Sequence, residues 1–188
     1  DLPANEIRLD KQYYRLVWES VSRLRGADRA SVAPLVQMEI TFQNIVWAMR
    51  LKIYYRKGRE EIASTLACSD ADERTKKLLC KPALDALDIP PDSWTAWAGW
   101  KYSWMLNTHE EGAPWSFDPR WAQLASDSRL FSAALLAFHR SAFTTGMLVS
   151  YFMARQLELQ MIRVAAEGIR LGADGNEIAT YTGGIADA

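Results

Sequence analysis

The chain has 188 residues, enough to bury a core as one large domain or two small ones. Its 23 acidic and 22 basic side chains nearly cancel, which argues against wholesale nucleic-acid binding. No apolar run is long enough to span a membrane, no secretory leader is read at the start, and Cys68 and Cys80, without a CxxC spacing, read as reduced cytosolic thiols.

In chain order, residues 1–9 read as a linker and Asp10 as the cap of a helix over 11–25, with Tyr14, Val17, Val21 and Leu24 on one side. Gly26 is expected to end it. The stretch PLVQMEITFQNIVWAMRLKIYYRKG, residues 34–58, reads as one long helix. Leu35, Met38, Phe42, Ile45 and Met49 alternate steps of three and four and keep one apolar stripe in register. Pro34 suits the first turn, Gly58 the left-handed position past the end, and Lys52, Arg56 and Lys57 the negative end of the helix dipole. A short helix over 59–66 follows, then one from an Asp70 cap to about Cys80, which Pro82 breaks or restarts.

Beyond Pro90 and Pro91, the segment WTAWAGWKYSWML is expected to be helical from a cap at Asp92 or Ser93, because Trp94, Trp97, Tyr102 and Trp104 recur at helical spacing. Residues 107–119 read as a polar loop. Helices are then expected over about 119–125 and 128–140. A second long helix over 148–172 carries Phe152, Leu159, Ile162 and Ala166 as its stripe, and a short helix begins near Asn176. No strand pattern is present, so the fold class is all-α.

A shift of 117 residues lays the second long helix over the first without a gap from residue 11 to 65. Gln43-Asn44-Ile45 then lies over Gln160-Met161-Ile162, and Ala48 over Ala165. This predicts two related units, 1–127 with the Trp-rich region and 128–188, the second incomplete. Both stripes are expected to form the inner spine of their unit.

Chemistry-bearing motifs are sparse. His109 and His139 lie in different elements, and HEEG at 109–112 lacks the second histidine of a zinc helix. No phosphate-cradling glycine loop or nucleophile elbow is read, so no catalytic residue, cofactor or metal is assigned. Glu39 with Arg50, and Glu158 with Arg155, read as solvated pairs. Asn44 inside the apolar run must find partners and is expected to fix helix register. Trp94, Trp97, Trp100 and Trp104 fit interhelical packing, a protein interface or a stacked ligand.

The pattern E-I-x-x-x-N-I-x-x-A-x-R-L-K-x-Y-Y, from Glu39 to Tyr55 and including Asn44 and Arg50, resembles the signature helix of the C subunit of V-type and A-type ATPases, a relative of the V-ATPase d subunit. The helix QLELQMIRVAAEGIRLG, residues 156–172, is similar to that family's closing helix, departing at Gln156 and Met161 where the family favours Glu and Asn. Asp10 to Tyr14 also fits, while residues 88–121 have no counterpart. The resemblance implies repeated helical units arranged as a funnel, of which this chain would hold the last two thirds. It also implies a non-catalytic central-rotor subunit, cytoplasmic and peripheral to the membrane. The implied partners are the coiled-coil central stalk and the membrane rotor ring of an ATP-coupled proton or sodium pump. An apolar strip uncovered by the missing unit is expected, the Trp segment included. The rival reading is a free-standing helical module that grips a protein or ligand with its tryptophans. An enzyme whose site is shared between units is a third, with no residues to name.

Overall fold

The computed structural model describes residues 2–181, where eight α-helices and two 3₁₀ turns carry all the regular structure. The fold is all-α. Helix α1 (Leu2–Arg23) starts far earlier than expected: the supposed linker is its first two turns, and Asp10 lies mid-helix. Pro3 stands in the first turn, where its missing N–H leaves no bond unmade. Val21, with half-buried Tyr14, Val17 and Leu24, forms the inward face.

Gly26 opens α2 (Gly26–Ile53) with φ +53, so the glycine starts the second helix as much as it ends the first. Pro34 is interior rather than first-turn. The turns before it are held by tertiary packing: Val32 and Val36 join Val21 in one cluster. Of the expected stripe, Leu35, Phe42, Ile45 and Met49 are buried and Met38 is half-buried. The helix ends five residues before Gly58, which is extended (φ −72, ψ 156) and precedes α3 (Arg59–Thr65) instead of taking the left-handed turn. Arg56 takes that conformation (φ 51).

Asp72, not Asp70, caps α4 (Glu73–Leu79), its carboxylate accepting from the N–H groups of Arg74 and Thr75. Pro82 sits in the first turn of α5 (Lys81–Leu87). Lys52, expected at the end of its own helix dipole, reaches across: its Nζ donates to the carbonyls of Leu87 and Ile89, both at 2.8 Å, at the end of α5. Burial lowers the Lys52 pKa.

The Trp segment is not an α-helix. It forms 3₁₀ turns at Trp94–Trp97 and Ser103–Met105, and i→i+3 bonds continue between them, Trp100 to Trp97 and Ser103 to Trp100. Aromatic residues three apart satisfy a 3₁₀ period as well as an α period. The Trp97 indole donates to the Pro90 carbonyl at 2.9 Å, fixing the turn on the residues before it.

Helix α6 (Pro119–Arg140) is continuous where two helices were expected, and it passes through 127–128. Buried Ser126 bonds back to the Gln123 carbonyl, so its hydroxyl is satisfied without a break. Helix α7 (Thr145–Leu171) ends at Gly172 in the left-handed conformation (φ 77), before α8 (Gly175–Tyr181). α1 and α6 have 22 residues each and are 117 apart at both ends; α2 and α7 have 28 and 27, and α3 and α8 seven each.

Three apolar clusters meet on α2. One joins Ile45, Val46 and Met49 to α3, α5, the Trp segment and Ala122 of α6. A second joins α2 to α1 and the residues around Cys68, and a third joins Leu35 to α6 and α7. α2 and α7 cross closely near their starts: a Cβ on Gly146 would lie 2.4 Å from that of Ser31, so only glycine fits. The inward face of α7 is Gly146, Ser150, Met153, Ala154 and Leu157. At 100° per residue this lies opposite Phe152, Leu159, Ile162 and Ala166, all of which are exposed, so the expected spine of the second unit faces outward.

Candidate functional site

Asn44, fully buried in α2, ties that helix to the chain after α3. Its Nδ2 donates to the carbonyls of Ala67 (3.1 Å) and Leu79 (3.0 Å), and its Oδ1 accepts from the Ala67 N–H at 2.7 Å. A polar side chain in this position is stable only because all its groups are met. Cys80 Sγ also reaches the Ala67 carbonyl, at 3.3 Å. Both cysteines are free and buried, and burial pushes the thiols up, Cys68 to about 12 and Cys80 to about 11.

A polar cavity of about 120 Å³ lies where α1, α2, α6 and α7 meet, lined by Tyr14, Glu39, Gln43, Gln123, Asp127 and Gln160 among others. Asp127 accepts from Gln123 Nε2 at 2.7 Å and Gln160 Nε2 at 3.0 Å. Burial raises its carboxyl to about 6, against the opposing pull of those amides and the Arg50 charge. Burial alone carries Glu39 to about 7. The Tyr14 phenol is pushed up by burial and then by the Glu39 charge. The cavity therefore holds two carboxyls that take up protons near neutral pH. Glu39 is not on a solvated face with Arg50: it lines the cavity, and half-buried Arg50 acts on Asp127. Arg155 and Glu158 do pair, on a partly exposed face. Asp127 escapes sequence reading because it falls at an expected helix break, between Ser126 and Ser128.

The tryptophans lie mostly inside. Trp97 is fully buried, 4.9 Å edge-on to the nearly buried Trp100 and 5.0 Å from Phe117. Half-buried Trp104 meets Phe42 at 5.1 Å, with Arg129 over its ring at 4.8 Å. Trp94 is the exposed member, at 37%, and stacks on His109 at 5.0 Å. His139 lies apart at the end of α6, and among the described residues no three His, Cys, Asp or Glu side chains gather to hold a metal. The outward face of α7, not the Trp segment, carries the uncovered strip: Leu148, Phe152, Leu159, Ile162 and Ile169 are each more than half exposed.

The family model of the ATP synthase (C/AC39) subunit matches residues 1–181, nearly the whole chain. The chain belongs to the AC39 family. An uncharacterized protein of Treponema pallidum (strain Nichols) is 29% identical over 168 residues, which is 89% of this chain and 49% of the relative. The AC39 chain thus spans about half the length of the curated relative it matches. No solved structure matches it. Among the described residues no helix is long and apolar enough to cross a membrane. The family is one of V/A-type ATPase subunits.

Proposed function

We propose that this AC39 chain is a non-catalytic central-rotor part of a V/A-type ATPase, linking the coiled-coil central stalk to the membrane ion-translocating ring. It would comprise two related helical units, read as 1–127 and 128–188 in the sequence and centred instead on α1–α3 and α6–α8 because α6 runs through that boundary, with the rest of the full-length protein completing a funnel. The observation that carries the reading is the outward face of α7. Positions 148, 152, 155, 159, 162, 166 and 169 alternate steps of four and three, and all but Arg155 are apolar. That is the seam a long helix presents to another helix. A contiguous apolar strip of this size marks an interface. Enclosed Asn44 and the Trp core make the first unit stiff, as a torque-bearing part needs.

The test is co-purification of the full-length protein with the stalk subunits and the membrane ring of the same organism. Wild type should bring down both. Leu159→Glu with Ile162→Glu, on an exposed face, should leave folding intact and abolish assembly. Failure of wild type to associate with either, while the rest of the complex assembles, would overturn the reading.

A further inference from the structure

The turn between α6 and α7 carries Phe143, whose side chain is completely exposed and whose φ is +62. A bulky residue rarely takes this backbone conformation, and where one does the surroundings or the function hold it there. The position 117 residues earlier, in the turn between α1 and α2, has the same conformation and is filled by Gly26 (φ +53). The fold thus admits glycine at this turn, yet the second turn spends the position on a protruding ring. Leu136 and Tyr151 are exposed in the last turns of α6 and the first turns of α7.

Charge points the same way. Residues 128–157 contain no carboxylate side chain. Exposed His139 and Arg140 end α6. The α1–α2 turn stands beside this one, since Asp28 Oδ1 accepts from the Thr145 N–H at 2.7 Å. It brings exposed Arg23, Arg25 and Arg29 to the same end. Asp28, the carboxylate of that turn, is spent on Thr145. This end of the molecule is therefore cationic and tipped with an exposed aromatic ring. A groove would suit a peptide. A protruding ring among arginines suits a sheet of anionic headgroups, where aromatic rings settle at the interface and arginines meet phosphate.

We propose that the paired α1–α2 and α6–α7 turns dock on an anionic lipid surface, with Phe143 entering the headgroup layer and Arg25, Arg29 and Arg140 contacting phosphates. This does not depend on the stalk-binding reading, which concerns the outward face of α7. The experiment is co-sedimentation of the full-length protein with phosphatidylcholine vesicles, with and without one third phosphatidylglycerol. Wild type should bind the anionic vesicles and release as salt rises. Phe143→Asn should weaken binding about tenfold or more while raising the melting temperature, because asparagine tolerates the left-handed backbone. Arg25→Glu with Arg140→Glu should weaken it at least as far. Absence of binding, equal binding to neutral vesicles, or variants that bind like wild type would overturn the proposal. So would a Phe143→Cys thiol that maleimide cannot reach in the lipid-free full-length protein, since the rest of the protein would then cover the tip.

Discussion

At the places where α2 has Leu35, Phe42, Ile45 and Met49, α7 has Phe152, Leu159, Ile162 and Ala166, each 117 residues later. The first four are buried; of the second, Phe152 is 66% exposed, Leu159 54% and Ile162 57%. What differs is the cover. Ile45 and Met49 lie under α5, the Trp segment and the start of α6; Phe42 meets Tyr102 and Trp104; Leu35 meets α6 and α7. The described residues hold no second set of these elements for α7. An apolar period thus reports that a helix has a face to bury, and its neighbours decide whether this chain buries it.

The comparison is sharpest at Asn44, whose counterpart is half-buried Met161. Asn44→Met would leave the Ala67 N–H and the Leu79 carbonyl buried without a partner, and the Ala67 carbonyl with only the weak Cys80 thiol donor. A loss of about 4 kcal/mol is expected from urea unfolding, since each unmet buried group costs ~1–3 kcal/mol. Met161→Asn should change stability by less than about 0.5 kcal/mol, because half-buried amides can be met by water. Comparable losses from the two variants would show that the positions are equivalent in energy as well as in register.

Next in size is the stripe itself. Ile45→Ala empties a fully buried site and should cost about 3 kcal/mol. Ile162→Ala should be close to neutral in the 188-residue chain, within about 0.5 kcal/mol by the same assay. In the assembly proposed above, Ile162→Ala should become costly. A large loss in the chain alone would mean that α7 has cover the structure does not place there.

Both stripes, the all-α class and the AC39 signature were legible in the sequence because they are periodic or motif-like. Asn44 was legible as a polar residue beside the apolar stripe that must find partners. The outward turn of the α7 stripe was not, since periodicity carries no sign for inside or outside. The Trp segment misled because the helical reading rested on Trp94, Trp97, Tyr102 and Trp104, of which the first two are three apart, a spacing that α and 3₁₀ turns share. The carboxyls of the cavity were hidden for another reason: Glu39 and Asp127 are 88 residues apart on different helices, and the packing of α2 on α6 brings them to one space.

That cavity gives a pH test of the comparison, because the counterpart of Glu39 is Gln156, an amide lining the same space. The folded Glu39 carboxyl titrates at about 7, against an ordinary value of 4.5. Below 4.5 both states are protonated and the site carries no penalty. Stability should fall as pH rises from 4.5 to about 7, and the full loss should persist above that. A shift of this size corresponds to at most about 3 kcal/mol, and some 2 kcal/mol is a fair expectation with water relaxing into the cavity. Glu39→Gln should remove its own part of the fall, leaving that of Asp127 between 3.8 and about 6, and be more stable than wild type at pH above 7 while matching it in acid. Parallel stability–pH curves for the two would show that Glu39 ionises freely in the folded chain.

The smallest effect concerns the two turns. Gly26 and Phe143 share a left-handed backbone 117 residues apart, and space is open around Gly26, where an added Cβ would meet no atom within 4 Å. Gly26→Ala therefore isolates the backbone term: it should cost about 1 kcal/mol, without any clash. Phe143→Gly runs the substitution the other way. It removes strain of ~1–3 kcal/mol but adds freedom to the unfolded chain, so a net gain of about 1 kcal/mol is expected. Because the ring is fully exposed, no packing is lost with it. Thermal unfolding of both variants should therefore move in opposite directions by similar amounts. If Phe143→Gly destabilises instead, the ring makes contacts that hold the turn, and its conformation is a consequence of packing rather than strain kept for a partner.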